Sequence, residues 1–381
     1  MTDGATIHLH DSVAAIDGHA WDACAGGDNP FVSHDFLAIL EESGSVGPGT
    51  GWSPAPLGVY DEAGGLLAAA PAYLKSHSQG EYVFDHGWAD AWERAGGHYY
   101  PKLQIASPFS PVPGPRLLLR DGEGGAALIA GIEAVIDQNG LSSAHATFIT
   151  EDQRELFRSA GWLIRQGTQF HWTNEGYGSF EDFLAVLSSR HRKDMRKERA
   201  KAQAGLEIVH LTGSDLQERH WDDFWRFYQD TGSRKWGHPY LTRRFFSLLG
   251  ERMAQKVLLM FALRDGVPIA GALNLIGSDT LYGRYWGCTQ DVPFLHFELC
   301  YYQAIEAAIA RGLSRVEAGA QGEHKLSRGY RPVATWSAHY IPDPGFRRAV
   351  ADYVEREAMM LSGDMPLLEE RTPFRRSEPE R

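Results

Sequence analysis

The stretch that decides the fold reads LGVYDEAGGLLAAAPAYL over residues 57–74, and its pattern returns as LLMFALRDGVPIAGALNL over residues 258–275. Each copy has an apolar run, a short turn containing an acidic residue and glycine, and a second apolar run. This pattern predicts a β-hairpin, with Gly65 and Gly266 at matching positions of the turn. Two such hairpins in one chain indicate an internal repeat.

The segments that follow the two hairpins also correspond. Each copy has an amphipathic helix that ends at a glycine suited to a left-handed C-cap, then a short strand, a short helix that ends at a Gly–aromatic pair, and a final strand. A helix between neighbouring strands predicts a mixed sheet with a crossover connection. The paired landmarks are Gly140 and Gly312, strands 146–149 and 315–318, Gly161-Trp162 and Gly329-Tyr330, and final strands 163–172 and 335–341.

The repeat predicts an α/β (α+β) fold of two duplicated lobes, each a mixed sheet flanked by helices. The length of 381 residues suits two domains. We expect the first lobe at residues 1–175 and the second at 176–345. A C-terminal helix at 347–360 and a disordered polar tail complete the expected region 346–381.

Composition disfavours several classes of protein. A formal net charge of −12 makes general DNA binding unfavourable. The three cysteines have no metal-ligand spacing and form no disulfide framework, and the N-terminus has no apolar signal segment, so we expect a cytoplasmic protein without a metal. The sequence has no run of about 18 apolar residues, which predicts that no segment spans a membrane.

Several longer strings carry a family resemblance. The order of elements resembles the GNAT acetyltransferase fold, and its tandem form resembles the Fem peptidyltransferases. The chain most resembles the bacterial Fem-like N-acyltransferases, a family named for peptidoglycan biosynthesis or recognition, over about residues 30–345. The matching strings are QGEYVFDHGWAD (79–90), YYPKLQ (99–104), PFSPVPGPRL (108–117), LYGRYWG (281–287), HFE (296–298) and GAQGEHK (319–325).

The resemblance implies a donor site in the second lobe. In GNAT folds the donor pyrophosphate lies at a helix N-terminus after a strand, which corresponds here to residues 286–298. Typical acetyltransferases carry a Gln/Arg-x-x-Gly-x-Gly/Ala loop at this place, and this sequence lacks one. An acyl-CoA donor and an aminoacyl-tRNA donor therefore both stay open. The predicted donor-binding residues are Trp286, Cys288, Leu295, His296, Arg192, Arg196 and Arg328.

Glu298, His324 and Lys325 are the predicted catalytic residues. Glu298, in the first turn of the donor-site helix, is a candidate general base for the amine, or else stabilises the helix dipole. In many acetyltransferases a Tyr about four residues before the final Gly–aromatic pair protonates the leaving thiolate. Lys325 stands at that position, beside His324, and either side chain could supply the proton. An acyl-enzyme on Cys288 is a less favoured alternative.

The run RHRKDMRKERAK at 190–201 looks helical and carries a local charge of +5 (seven basic minus two acidic residues) in an acidic chain. It is either a grip for a phosphate-rich ligand or a solvated helix face.

In the first lobe, acids, His and aromatic residues crowd one region and predict a site for a polar acceptor with an amine. A metal site at Asp85, His86 and Asp90 lacks a second motif to support it. The predicted acceptor-binding residues are Glu81, Tyr82, Asp85, His86, Trp88, Tyr100, Lys102, Gln104, Phe109 and Arg116, with Tyr285, Gln321 and Glu323 from the second lobe.

These observations support three hypotheses. The first is an N-acyltransferase in which an amine of a small molecule or peptide attacks a thioester or ester directly, in a cleft between the lobes. The second is a Fem-type transferase that uses aminoacyl-tRNA. The third is a protein that recognises a cell-wall precursor or peptide without catalysis.

Overall fold

The computed structural model describes residues 5–235, 239–320 and 322–375, with residues 231–235 described as backbone only. The chain divides into two compact units. Unit 1 contains residues 1–167, 240–245 and 334–362, and unit 2 contains residues 168–239, 246–333 and 363–381. The chain therefore passes between the units five times, after residues 167, 239, 245, 333 and 362, and the division differs from the contiguous lobes expected at 1–175 and 176–345.

Unit 1 contains two sheets and the helices that cover them. Its elements are β1 (Thr6–Leu9), α1 (Gly18–Ala25), α2 (His34–Glu42), β2 (Trp52–Pro54), β3 (Leu57–Tyr60), β4 (Leu66–Ala70), β5 (Ala72–Lys75), α3 (His86–Arg94), β6 (Lys102–Ile105), β7 (Leu118–Leu119), α4 (Gly125–Asn139), β8 (Ala144–Ile149) and α5 (Glu151–Ser159). Strand β9 (Leu163–Thr173) leads out of this unit.

Unit 2 continues with a second set of helices and strands. Its elements are α6 (Phe180–Val186), α7 (Ser189–Ala202), β10 (Glu207–Leu211), α8 (Glu218–Lys235), α9 (Arg243–Met253), β11 (Val257–Arg264), β12 (Val267–Ile276), β13 (Thr280–Cys288), α10 (Leu295–Phe297), a π-helical turn (Glu298–Tyr302), α11 (Gln303–Ala310), β14 (Arg315–Glu317) and a 3-10 helix (Glu323–Arg328). Strand β15 (Arg331–Tyr340) leads back to unit 1, and α12 (Pro344–Glu370) ends the described chain apart from its last residues.

The two units repeat one strand pattern. In unit 1 the order β5-β6-β8-β15 has antiparallel, parallel and antiparallel pairs. In unit 2 the order β12-β13-β14-β9 has the same three pairs. The final strand of each sequence repeat thus completes the sheet of the other unit: residues 171–173 of β9 pair with β14, and residues 336–340 of β15 pair with β8. This exchange explains why the units are not contiguous in sequence.

The turns and caps follow the predicted chemistry with one correction. Asp265 and Gly266 form a two-residue turn with positive φ, at 52° and 77°, as the hairpin pattern requires. In the first hairpin the loop is longer, and Gly64, at φ 82°, takes the left-handed conformation instead of Gly65. Gly140 and Gly312 are both left-handed, at φ 60° and 67°, as expected for C-caps.

Apolar residues between the helices and the sheets form separate cores. In unit 2, Ala304, Ile305 and Ala308 of α11 pack with Leu281 and Val316 of the sheet. In unit 1, Leu128, Ile132 and Ile136 of α4 belong to the corresponding cluster with residues of β3–β8. Helix α12 extends to Glu370, past the predicted end, because Leu368 packs against the unit 2 core and Glu369 forms an ion pair with Arg331 at 2.9 Å.

Candidate functional site

Strands β13 and β14 of unit 2 diverge at a bulge. The two strands pair over residues 280–282 and 315–317 only. In the neighbouring pair, Leu273 faces Tyr285 while Asn274 faces Gly283, so Arg284 is an extra residue on β13. A bulge bends a strand and ends regular pairing. The strands therefore open a gap at their ends, which is where α/β folds place ligands.

A cavity of about 90 Å³ lies at this gap, and we call it the strand-gap cavity. Residues of β12, β13, the end of β14 and the helix after β13 line it. They are Ala272, Leu273, Asn274, Gly283, Arg284, Tyr285, Trp286, His296, Cys300, Tyr301 and Ala318. The lining includes the predicted site residues Tyr285, Trp286 and His296. Cys288 instead packs against the core of unit 2, and so does the predicted donor residue Leu295.

Tyr301 and His324 link the strand-gap cavity to a second, larger one. The Tyr301 hydroxyl lies 2.8 Å from His324 Nε2. Burial raises the pKa of Tyr301 well above its ordinary value, so its hydroxyl keeps its proton at neutral pH. His324 lines a cavity of about 660 Å³, called here the C-terminal cavity because Glu370–Arg375 form one side of it. A phenol at the strand gap thus contacts an imidazole that lines the C-terminal cavity.

Lys325 is buried beside the strand-gap cavity. Its side chain is 1% exposed, and Nζ donates to Gly319 O at 2.7 Å. Burial lowers the pKa of Lys325 to about 8; Cys300 raises it and Arg284 lowers it further. Lys325 can therefore change its charge close to physiological pH. Glu323 lies at the C-terminal cavity, where it pairs with Arg371 at 2.7 Å. Gln321 lies outside the described residues.

Glu298 is placed away from both cavities. Its carboxylate is fully buried, accepts from Arg199 Nη2 at 3.0 Å, and accepts from Gln203 and Gln303 at 2.8 and 2.7 Å. An ion pair so enclosed stabilises packing between α7 and the π-helical turn, and its loss would leave a buried charge unpaired. This placement does not support the predicted role as general base.

Helix α7 lines a third cavity, of about 340 Å³, named the α7 cavity. Arg190, Lys197 and Lys201, called here the basic face of α7, line it together with Phe294 of the loop before α10. The acidic residues Asp194 and Glu198 of α7 line it as well. The predicted ligands Arg192 and Arg196 are not part of this lining; Arg196 pairs instead with Glu181. The helix thus carries a cationic surface, but Arg190 and Lys197 line the cavity in place of the predicted Arg192 and Arg196.

Arg328 also lines the α7 cavity, and its charge is already paired. Its Nη2 donates to both carboxylate oxygens of Glu198 at 2.9 and 3.0 Å, and the guanidinium lies 3.5 Å from the ring centre of Phe297. This charge-assisted hydrogen bond, shared between the two oxygens, ties the 3-10 helix to α7. Arg328 therefore holds the segment that carries His324 and Lys325.

The predicted acceptor residues of unit 1 form a buried ionic cluster. Lys102 Nζ donates to Ser78 Oγ at 2.9 Å, to Glu81 Oε2 at 2.7 Å and to Asp85. Burial raises the pKa of Glu81 to about 7 and lowers that of Lys75, 3.7 Å from Glu81, to about 7. Burial alone would raise the pKa of Asp85. The charge and hydrogen bond of Lys102 outweigh burial and hold this pKa below its ordinary value. These charges compensate one another inside the unit.

The other predicted acceptor residues divide between core and surface. Trp88 packs edge-on against His339 and is buried, and Phe109 and Gln104 are buried as well. Arg116 donates from Nε to Thr147 O at 2.8 Å and from Nη2 to Val112 O at 2.7 Å. His86 is exposed, whereas Tyr82 and Tyr100 are half-buried. Most of these residues therefore belong to the interior of unit 1.

The segment 106–116 covers the end of β8, where unit 2 has its gap. Gly114 donates its N–H to Phe148 O at 3.0 Å, and most of the segment is buried. In unit 2, Ala318 at the corresponding place lines the strand-gap cavity. The end of the strand is thus open to a cavity in unit 2, whereas residues 106–116 cover the corresponding place in unit 1.

A family model for Fem-like proteins of peptidoglycan biosynthesis and recognition matches residues 12–376. The chain belongs to this Fem-like family. The resemblance predicted from the sequence strings is confirmed, and so is the α/β fold of duplicated lobes. Comparison with curated protein sequences gives no match.

Solved structures similar to this Fem-like protein share its fold at low sequence identity. FemX has 10% identity and a TM-score of 0.55, with 91% of this chain and 100% of FemX covered. L-PGS from Bacillus licheniformis has 12% identity and a TM-score of 0.51, covering 89% and 96%. The C-terminal domain of a putative lysylphosphatidylglycerol synthetase from Agrobacterium fabrum has 10% identity and a TM-score of 0.52, covering 92% and 98%.

Two kinds of feature are absent from the described residues. None of the helices of this Fem-like protein, within 5–235, 239–320 and 322–375, is long and apolar enough to cross a bilayer. Over the same ranges, no group of three or more His, Cys, Asp or Glu residues could hold a metal ion.

Sequence reasoning predicted three of the eleven residues that line the strand-gap cavity in this Fem-like protein, and Tyr301 and Asn274 are among those it missed. Tyr301 follows Phe297 by four residues and His296 by five, so helical spacing was the signal that could have placed it near the donor site. Asn274 is a polar residue inside the otherwise apolar second strand of the second hairpin, and the sequence pattern assigned it no role. A buried Asn in a strand has to find hydrogen-bond partners, and that requirement was the available signal.

Proposed function

We propose that this protein is an N-acyltransferase that moves an acyl or aminoacyl group from a thioester or ester to an amine nitrogen. The observation that carries the proposal is the strand-gap cavity, a small cavity lined by both His296 and Tyr301 near the buried Lys325. Membership of the Fem-like family supports it, as does the fold shared with FemX and a putative lysylphosphatidylglycerol synthetase.

In the proposed reaction the donor carbonyl lies in the strand-gap cavity. His296, an imidazole on the cavity wall, takes a proton from the amine as the nitrogen attacks the carbonyl carbon. The C–N bond forms, a tetrahedral intermediate carries negative charge on oxygen, and the buried Lys325 ammonium stabilises that charge through space. The C–S or C–O bond then breaks, and the Tyr301 hydroxyl donates to the leaving atom.

His324 completes this proton path. In the proposed state, His324 carries a proton on Nε2 and donates it in a hydrogen bond to the Tyr301 oxygen. The hydroxyl hydrogen of Tyr301 then points toward the cavity. When Tyr301 gives its proton to the leaving atom, His324 resupplies it and is reprotonated from the C-terminal cavity. His296 releases the amine proton to solvent, which balances the proton that His324 takes up, and the product is an amide plus a free thiol or alcohol.

The basic face of α7 supports a donor that carries phosphates. Arg190, Lys197 and Lys201 lie on the same cavity as Phe294, in the loop between β13 and α10. Coenzyme A and the acceptor end of tRNA share this chemistry. The acceptor is proposed to be an amine of a cell-wall precursor or peptide, as the family description suggests.

The test is a transfer assay with both donor classes. We would incubate the full chain with acetyl-CoA, or with glycyl- and alanyl-tRNA, plus a panel of amines that includes muropeptides, and detect amides by mass spectrometry. Ala318→Leu fills the cavity and should lower turnover by at least about 100-fold. Ala310→Leu, at an exposed position of α11, is the matched control and should leave turnover unchanged.

The outcomes separate the hypotheses. Amide formation from one donor class, lost in Ala318→Leu, supports the proposal and identifies the donor. Binding of muropeptides without transfer from any donor would overturn it in favour of a recognition protein.

A further inference from the structure

Asn274 is a buried amide with a fixed orientation. It lies on β12 and is 1% exposed. Its Nδ2 donates to Leu258 O at 3.1 Å and to Ala272 O at 3.4 Å. Because both partners are carbonyl oxygens, the nitrogen and the oxygen of the amide cannot be exchanged. Oδ1 is therefore the group that remains to accept a hydrogen bond.

That oxygen has no hydrogen-bond partner in the part of the chain that the structure describes. Asn274 lines the strand-gap cavity, as does Gly283, which faces it across the bulge. A Cβ at Gly283 would lie 3.4 Å from Oδ1, so the glycine keeps the space near this oxygen clear of side-chain atoms. Buried polar atoms are nearly always paired. An acceptor left over at a cavity wall fits a donor on whatever enters the cavity.

The size of the cavity suits a small group. Its volume of about 90 Å³ accommodates a short acyl group. The proposal that follows rests on the proposed function. We propose that Asn274 selects the transferred group: its Oδ1 accepts a hydrogen bond from an N–H or O–H close to the acyl carbonyl, so that short aminoacyl and hydroxyacyl groups are preferred over plain acyl groups of the same size.

The expected discrimination is large for a single contact. A site that pairs with a substrate N–H or O–H rejects an analogue that lacks it, because the buried acceptor then has no partner. Glycyl, glycolyl and propionyl groups have nearly the same size and differ in the terminal NH₃⁺, OH or CH₃. For wild type we expect kcat/KM for the glycyl or glycolyl donor to exceed that for the propionyl donor by about tenfold or more.

The experiment measures these three acyl groups as coenzyme A thioesters and as esters of one tRNA, with donor binding followed by calorimetry. Asn274→Leu removes the acceptor, and Asn274→Ala is a second variant in case the first does not fold. Thr280→Val is the matched control: Thr280 is as buried, on β13, and bonds Asp279 at 2.7 Å without lining the cavity. The ratio of kcat/KM for the glycyl or glycolyl donor to that for the propionyl donor should fall to about one in the Asn274 variants. The ratio should stay at its wild-type value in Thr280→Val.

The possible results separate this inference from the proposed function. Equal rates for glycyl and propionyl donors in wild type, or a preference that survives in both Asn274 variants, would overturn the role of Asn274 while acyl transfer stands. If no donor of either class binds or reacts, the proposed function fails, and the role of Asn274 in it fails as well.

Discussion

Tyr301 is the residue on which the proposed chemistry depends most directly. It is the phenol on the wall of the strand-gap cavity that bonds His324. Its neighbour Tyr302 is also buried, but its hydroxyl bonds Glu198 and lies off the cavity. Two adjacent tyrosines thus separate a proton-donating role from a structural one.

Tyr301→Phe should lower kcat by about 10²–10³-fold with KM little changed, because the hydroxyl acts on the leaving atom after the donor is bound. Tyr302→Phe should leave kcat intact and lower the free energy of unfolding by about 1 kcal/mol. Steady-state kinetics and thermal unfolding check both. Equal losses of kcat in the two variants would remove Tyr301 from the proton path.

Glu317 is a second residue with a measurable signature. It is 5% exposed, 3.8 Å from His171, and burial raises its pKa to about 8, whereas burial lowers the pKa of His171 to about 3. Both groups are therefore neutral near pH 7. Between about pH 4.3 and 8, Glu317 keeps its proton in the folded protein and loses it in the unfolded chain. The free energy of unfolding therefore falls as pH rises from about 4 to 8.

Glu317→Gln keeps the shape and has no proton to lose, so it should remove this pH dependence. The variant should exceed wild type in unfolding free energy by about 1–3 kcal/mol at pH 9 and not at pH 5. Urea unfolding at the two pH values measures this. Glu323→Gln, which breaks an exposed ion pair with Arg371, is the control and should change stability by less than about 0.5 kcal/mol at either pH.

Part of the candidate site was within reach of the sequence. The strings around Tyr285, His296 and His324 drew attention to segments that line the strand-gap and C-terminal cavities, because polar residues after strands are unusual in a core. Roles were harder to predict. Glu298 reads as a catalytic acid or base until its three partners are known, and two of them, Arg199 and Gln203, are about 100 residues distant in sequence.

At the scale of elements, α7 shows how one helix separates two sets of charges. Arg190 and Lys197 line the α7 cavity, whereas Arg192 and Arg196 lie on another face. Sequence predicted the helix and its charge, but no pattern in a nearly all-polar segment says which face meets the rest of the protein. The contact of Met195 with the unit 2 core settles that orientation.

The two faces should differ in donor binding. Arg190→Glu combined with Lys197→Glu should weaken binding of a phosphate-bearing donor by about tenfold and reduce its dependence on salt. Arg192→Glu combined with Arg196→Glu changes the net charge equally and should alter affinity by less than about threefold. Calorimetry at two salt concentrations measures both pairs. Equal weakening would mean that only net charge matters.

Strands and helices were otherwise well predicted where their periodicity was strong. Both hairpins, both glycine caps and helix α7 appear as expected. Helix α12 runs ten residues past the predicted end, through Pro366. Proline and polar residues argue against a helix locally, but packing of Leu368 and the ion pair of Glu369 stabilise it, and neither contact is visible in the local sequence.

At the scale of the whole molecule, the main feature is that final strands complete the sheet of the other repeat. Sequence predicted β9 to within one residue and β15 with a start four residues too late, yet assigned each strand to its own half. Strand pairing depends on the partner strand and not on the strand alone. Nothing in the sequence of β15 distinguishes β8 from β14 as its neighbour, so the exchange could not be predicted.

The exchange makes a prediction about fragments. Residues 1–175 expressed alone lack residues 336–340, which pair with β8, and residues 176–381 lack residues 171–173, which pair with β14. Each fragment alone should show no cooperative thermal unfolding by circular dichroism, because an inner strand of its sheet is missing. Co-expression should restore the transition of the full chain. A cooperative transition in residues 1–175 alone would contradict the assignment of β15 to unit 1.

The exchange also bears on how such a chain can arise. A lone ancestral copy of the repeat would have left its sheet incomplete until a second copy donated the missing strand, which describes a domain-swapped homodimer. Joining two copies in one chain makes that donation intramolecular, so that assembly no longer depends on protein concentration. Once joined, the copies need not stay alike. The open gap in unit 2 and the gap covered by residues 106–116 in unit 1 record that loss of symmetry.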